Sequence, residues 1–125
     1  MIIDHCRDEK EFYRFFNDHP MNDGLYTYEF ILNNPNLFCF YNEKTGVLEA
    51  YISITQDKKE RLFLSGAAIR KNMPENINAI IKICEAYPKN MYAETDKKPA
   101  QVVLRKAGFK KIGNNIFARY KNGKE

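Results

Sequence analysis

Between positions 37 and 69 three apolar stretches are separated by two short polar turns, and no other part of the sequence restricts the fold as much. Residues 37–42 are aromatic and apolar throughout. Glu43-Lys44-Thr45-Gly46 supplies a turn, and residues 47–55 alternate so that Leu48, Ala50, Ile52 and Ile54 share one face. Gln56-Asp57-Lys58-Lys59 turns the chain again into residues 61–69, a third strand whose Gly66 marks a bulge or a close backbone approach. The expectation is an antiparallel meander, and a meander must bury its apolar faces against further elements.

The flanking segments supply those elements. Residues 1–6 are short and apolar enough for a strand. From Asp8 a helical pattern places Phe12, Phe15 and Phe16 on one face until Asn17-Asp18-His19-Pro20 ends it. After Asn22-Asp23-Gly24 a second short helix sets Leu25, Tyr28, Ile31 and Leu32 on one side, and Asn33-Asn34-Pro35-Asn36 breaks it. Downstream, Ile77, Ile80, Ile81 and Cys84 form the apolar face of a helix opened by Pro74-Glu75. Residues 90–94 form a short strand. Pro99 opens a helix with Ala100, Val103, Leu104 and Ala107 inward, and Gly108 stands where a left-handed cap belongs. Residues 109–112 and 116–120, around Gly113-Asn114-Asn115, form a last hairpin. The order is β-α-α-β-β-β-α-β-α-β-β, a mixed α/β fold in a single domain over residues 1–125.

With 125 residues, 44% of them hydrophobic, the chain can build one core but hardly two. No apolar run approaches the ~18 residues of a membrane span. The start has no basic stretch followed by an apolar one, so a cytoplasmic setting is expected. Cys6, Cys39 and Cys84 are widely spaced, with only His5 and His19 as imidazole partners. That pattern speaks against a disulfide framework and a metal site, and each cysteine reads as a small buried hydrophobe.

Charge is unevenly divided. Residues 1–57 hold ten acids and four bases, and residues 58–125 hold six acids and sixteen bases. Such a split points to an anionic ligand or partner. The bases come in pairs, Arg70-Lys71, Lys97-Lys98, Arg105-Lys106 and Lys110-Lys111, scattered along the sequence and accompanied by no nucleic-acid-reading motif. A protein partner, or self-association through acidic and basic faces, is therefore expected ahead of nucleic acid.

The order of elements, together with Ala100-Gln101-Val102-Val103-Leu104-Arg105-Lys106-Ala107-Gly108-Phe109, resembles the GCN5-related N-acetyltransferase (GNAT) superfamily. As topology the resemblance covers nearly the whole chain, and as sequence it covers residues 69–120. It implies a GNAT-like, mostly antiparallel sheet flanked by helices, and transfer of an acetyl group from acetyl-CoA to an amine. In that family a Q/R-x-x-G-x-G/A loop after the third meander strand cradles the cofactor pyrophosphate on backbone amides. The matching positions make Ile69, Arg70, Lys71, Asn76, Ile77 and Asn78 the candidate cofactor-binding residues, with Met73 near the Q/R position. The sequence departs from the pattern. Asn76-Ile77-Asn78 stands in place of the glycines, Pro74 removes a donor, and Glu75 adds repulsion that Arg70 and Lys71 would have to offset. Leu104 occupies the place of the family's proton-donating Tyr, and Lys97 that of its Asn. The third meander strand carries no carboxylate, which leaves Glu49, Glu94 and Asp96 as candidate bases, the last two reading equally as solvated groups or helix caps.

These losses favour a GNAT-fold protein without catalysis that acts as a structural or interaction piece. In size and pattern of loss it is similar to the small GNAT-like proteins of tailed bacteriophages, some of which are virion components. Its alternative is an acetyl-CoA-dependent N-acyltransferase.

Overall fold

The structure, a computed structural model, describes residues 1–19, 26–69 and 73–121. Among these the chain forms seven strands and four helices. They are β1 (Ile2–Asp4), α1 (Glu9–Asp18), α2 (Tyr28–Leu32), β2 (Leu37–Tyr41), β3 (Leu48–Gln56), β4 (Leu62–Ala68), α3 (Met73–Glu85), β5 (Met91–Glu94), α4 (Lys98–Lys106), β6 (Lys110–Gly113) and β7 (Ile116–Arg119). The order of elements is the one expected from the sequence. The strands form one mixed sheet in the order β1-β2-β3-β4-β5-β7-β6, antiparallel except between β4 and β5. The expected break at Pro20 and Asn22-Asp23-Gly24, and the placing of Leu25, lie outside the described residues.

Helices cover the sheet on both sides. Phe12, Phe15 and Ile31 of α1 and α2 pack with Leu37, Cys39, Tyr41, Leu48 and Tyr51 in one cluster. On the opposite face Ile77, Ile80 and Leu104 of α3 and α4 pack with Phe40, Ala50, Ile52, Ile54 and Phe117. Tyr51 is the hub of the first cluster, meeting Phe12 edge-on at 5.1 Å and Phe15 at 5.8 Å. Each such pair contributes roughly 0.5–1.5 kcal/mol beyond its buried area.

One expectation about β3 is corrected. Leu48 does not share a face with Ala50, Ile52 and Ile54, but joins Tyr51 on the α1 side. The β2–β3 register steps from Phe40↔Ala50 to Tyr41↔Leu48, so Glu49 is an extra residue in the ladder. A bulge of one residue reverses the alternation of side chains beyond it. Gly66, by contrast, sits in an unbroken register opposite Ile52, and the alternative read from the sequence, a close backbone approach, is the one observed.

The helix ends follow local chemistry. The Asp8 carboxylate accepts from the Lys10 and Glu11 amides and starts α1, and the Thr27 side chain accepts from the Phe30 amide and starts α2. α4 ends in a full Schellman turn. Gly108 has φ +95°, its amide donates to the Arg105 carbonyl at 3.1 Å, and the Phe109 amide donates to the Leu104 carbonyl at 2.9 Å. Arg119 Nε adds a bond to the Ala107 carbonyl at 3.2 Å.

A methyl group on residue 66 would stand 2.3 Å from the Tyr51 carbonyl oxygen and 2.9 Å from Ile52 Cγ2. The obstacle is backbone and cannot rotate away. Gly66→Ala is therefore expected to cost about 3 kcal/mol, read as a lower urea midpoint at unchanged slope. An unchanged midpoint would show that β3 and β4 do not approach so closely.

Candidate functional site

The sequence directs attention to the passage from β4 into α3. Here β4 pairs with β3 over seven residues, Leu62 to Ala68, but with β5 only at Leu62↔Met91 and Phe63↔Tyr92. The β4–β5 ladder therefore stops two pairs in, while β5 continues against β7 to Glu94. Ile69 follows β4, and its amide donates to the Glu49 carbonyl at 3.0 Å.

The structure does not gather the described members of the proposed cofactor cradle. Ile69 has its N–H committed to Glu49, and its side chain packs with the α1-side cluster. Arg70 and Lys71 lie outside the described residues. α3 already begins at Met73, so Ile77 and Asn78 stand a turn inside it, where amides bond the carbonyls four residues back. Asn76 is 1% exposed, Ile77 is in the α3-side core, and Asn78 faces solvent. In the first turn Pro74 has no N–H to offer, and the amides of Met73 and Glu75 are the described ones that α3 leaves without an intrahelical acceptor. A pyrophosphate needs several free amides converging on it, and Ile77 and Asn78 are not among them.

The positions tied to proton transfer are equally plain. Leu104 is buried in the α3-side core, 6% exposed. Glu49, the bulge residue, is 5% exposed, and its Oε2 accepts from Asn42 Nδ2 at 3.4 Å. Glu94 and Asp96 are exposed, and neither caps α4. That corner is tied down by Thr95, whose Oγ1 accepts from the Lys97 amide at 3.2 Å and whose carbonyl accepts from Gln101 Nε2 at 2.9 Å. Two open hollows of about 550 and 510 Å³ lie beside α1 and α2, and neither is lined by Ile69, Asn76, Ile77 or Asn78, the described cradle candidates.

The cysteines behave as buried hydrophobes. Burial pushes the Cys39 thiol up to about 12 and that of Cys84 up to about 11, and it also raises half-buried Cys6. Among the described residues no group of three or more His, Cys, Asp or Glu is placed to hold a metal ion, and no helix is long and apolar enough to cross a membrane.

Sequence reasoning passed over what the fold assembles at its far end. Lys97-Lys98 stand at the start of α4, Arg105-Lys106 at its end, and Lys110-Lys111 on β6, the edge strand of the sheet. All six are exposed. α4 runs directly into β6, and on that strand successive side chains point to opposite faces: Lys111, opposite Phe117, is on the α4 side of the sheet, and Lys110, opposite Ala118, is on the other. The signal for this excess of cations in the sequence is the absence of any acid between Asp96 and Glu125. The start of α4 is also electrostatically unfavourable: its N-cap is Lys97, which makes no side-chain cap bond, and its first turn has no acid.

No protein-family model, no curated protein and no solved structure matches the chain. The architecture stands on its own geometry: a mixed α/β domain with four helices and a mostly antiparallel seven-stranded sheet among the described residues.

Two outcomes follow. Iodoacetamide near pH 8 should leave Cys39 and Cys84 unmodified in the folded protein and label all three cysteines in urea, as counted by mass spectrometry. Native labelling of Cys39 or Cys84 would contradict their burial. Lys97→Asp, which supplies a cap acceptor and removes a cation from the positive helix end, should add about 1 kcal/mol and raise the melting temperature by about 4 °C.

Proposed function

We propose that this chain is a GNAT-like domain without an acyl-transfer site, which acts as a structural or interaction protein. The element order, the single parallel pair β4–β5 and the A-x-x-x-L-x-K-x-G-F ending support the GNAT-like part of the reading. One observation carries the loss of catalysis. α3 begins at Met73, which draws Ile77 and Asn78 into its own ladder where the cofactor's phosphates would need free amides. Buried Leu104, in the place of a proton donor, is consistent with it. A virion or accessory component of a tailed bacteriophage is the setting this reading suggests, on the strength of the resemblance in size and pattern of loss.

The second reading is an N-acetyltransferase, and the observation in its favour is that β4 and β5 cease to pair after Phe63↔Tyr92. Parallel strands that part leave backbone edges to which an extended ligand can bond. Calorimetric titration with acetyl-CoA, with CoA as control, separates the two. The expected result is no saturable heat up to about 1 mM, and a Kd near 1 μM, worth about 8 kcal/mol, would overturn the non-catalytic reading.

A further inference from the structure

We propose that the end of the molecule formed by α4 and β6 binds the sugar-phosphate backbone of nucleic acid, without regard to base sequence. This names the partner class of the interaction protein proposed above, and rests on that reading only in this respect.

The first observation is an excess of cations, bordered at the start of α4 by exposed Glu94 and Asp96. Between Asp96 and Glu125 the chain has no acid. Lys97, Lys98, Arg105, Lys106, Lys110 and Lys111 are exposed, and among the described residues none of them makes an ion pair. Protecting an edge strand from pairing with another sheet accounts for lysines on β6, since edges are commonly guarded that way. It does not account for four more cations on a helix that has no edge to guard.

The second observation is that half of the acids in residues 1–57 are tied up within the chain. Five acids of its first half are already engaged. Asp4 pairs with Arg7 and Asp57 with Arg61, Asp8 caps α1, Glu11 accepts from the Leu48 amide, and Glu49 is buried beside Asn42. Exposed Glu9, Asp18 and Glu29 are the acids that remain there among the described residues, and association of copies through them is the competing outcome that light scattering reads below.

The third is composition. Protein interfaces are anchored by aromatic residues and depleted in Lys at their centres. Of the aromatic side chains at this end, Phe109 and Phe117 are buried in the core and Tyr120 is half-buried, and its exposed apolar residues are Val102 and Ile112. A polyphosphate asks only for cations held at intervals. The two pairs at the ends of the nine-residue α4 are about 12 Å apart along its axis, and β6 adds Lys111 on the same side of the sheet. With no exposed ring to stack on bases and no motif to read them, contact is with phosphates.

The test is fluorescence anisotropy with a labelled mixed-sequence duplex of ~20 base pairs, titrated at several salt concentrations from about 50 mM upward. Expected are micromolar binding at the lowest salt and a log–log salt slope of about −4 to −5, corresponding to roughly five phosphate contacts. The variant Lys98→Glu/Lys106→Glu/Lys111→Glu is compared with Lys44→Glu/Lys58→Glu/Lys82→Glu, which changes net charge equally elsewhere, and both are checked by circular dichroism. The first should lose at least about tenfold more affinity than the second, with a shallower slope. A smaller difference, or no binding by the native protein at about 50 mM salt, overturns the proposal. So does equal affinity for polyglutamate, which would assign the surface to an acidic protein. So, too, does reversible oligomerisation by light scattering at low salt that the first triple variant abolishes. Acetyl-CoA takes no part in any of these readouts, so binding of that cofactor and failure here are told apart.

Discussion

A strand at the centre of a two-sided sheet has to satisfy two cores at once, and in this chain that strand is β3. From Leu48 to Ile54 every residue of it is buried, and it is hydrogen-bonded on both edges, to β2 and to β4. Tyr51 gathers α1 on one side, while Ala50, Ile52 and Ile54 receive α3 and α4 on the other. The Glu49 bulge lets both conditions hold, because it turns Leu48 to the α1 side without interrupting the ladder further along. The tight approach of Gly66 to Tyr51 and Ile52 is the corresponding adjustment on the β4 edge. Small changes at these two points would move both helical layers together, since interiors packed at crystal-like density transmit displacement instead of absorbing it.

Much of this arrangement is legible in the order of residues alone. Turn residues, the spacing of Phe12 and Phe15 on α1 and of Tyr28 and Ile31 on α2, and the Gly108 cap each encode a local decision, and each is realised locally. The side reversed at Leu48 is not legible, because a bulge depends on pairing with β2 and leaves no mark in the alternation of residues 48–54 themselves. Nor is the start of α3. Pro74 fits a first turn whether that turn begins one residue earlier or later, yet the placement decides whether the amides of Ile77 and Asn78 are free or bonded. The fate of the Ile69 amide is hidden for the same reason, since its acceptor lies twenty residues away on the bulge.

The position of β6 is a further case. A hairpin of β6 and β7 can join a sheet by either strand, and its turn residues Gly113-Asn114-Asn115 do not choose between them. In the structure β7 pairs with β5 and takes Phe117 and Ala118 wholly inside, which leaves β6, with Lys110 and Lys111, as the edge. Burial makes the choice physically. The strand without adjacent lysines can be surrounded by neighbours, and the strand with them cannot be without removing their charges from water.

The same consideration bears on α4, where local rules and the observed arrangement disagree. Lys97 and Lys98 sit at the positive end of the helix and cost it stability, by a few tenths to about 1 kcal/mol each. The helix forms nonetheless, because Leu104, Ala107 and Phe109 are buried and the Schellman turn with Arg119 satisfies its final carbonyls. Burying two or three such side chains is worth several kcal/mol, so packing at one end outweighs electrostatics at the other. A lysine where an Asp or Ser would stabilise the helix is a conflict between local rule and structure of the kind that gathers at working surfaces. That the conflict falls on the same end of the molecule as the exposed Lys111 of β6 is the reason to treat the two as a single surface.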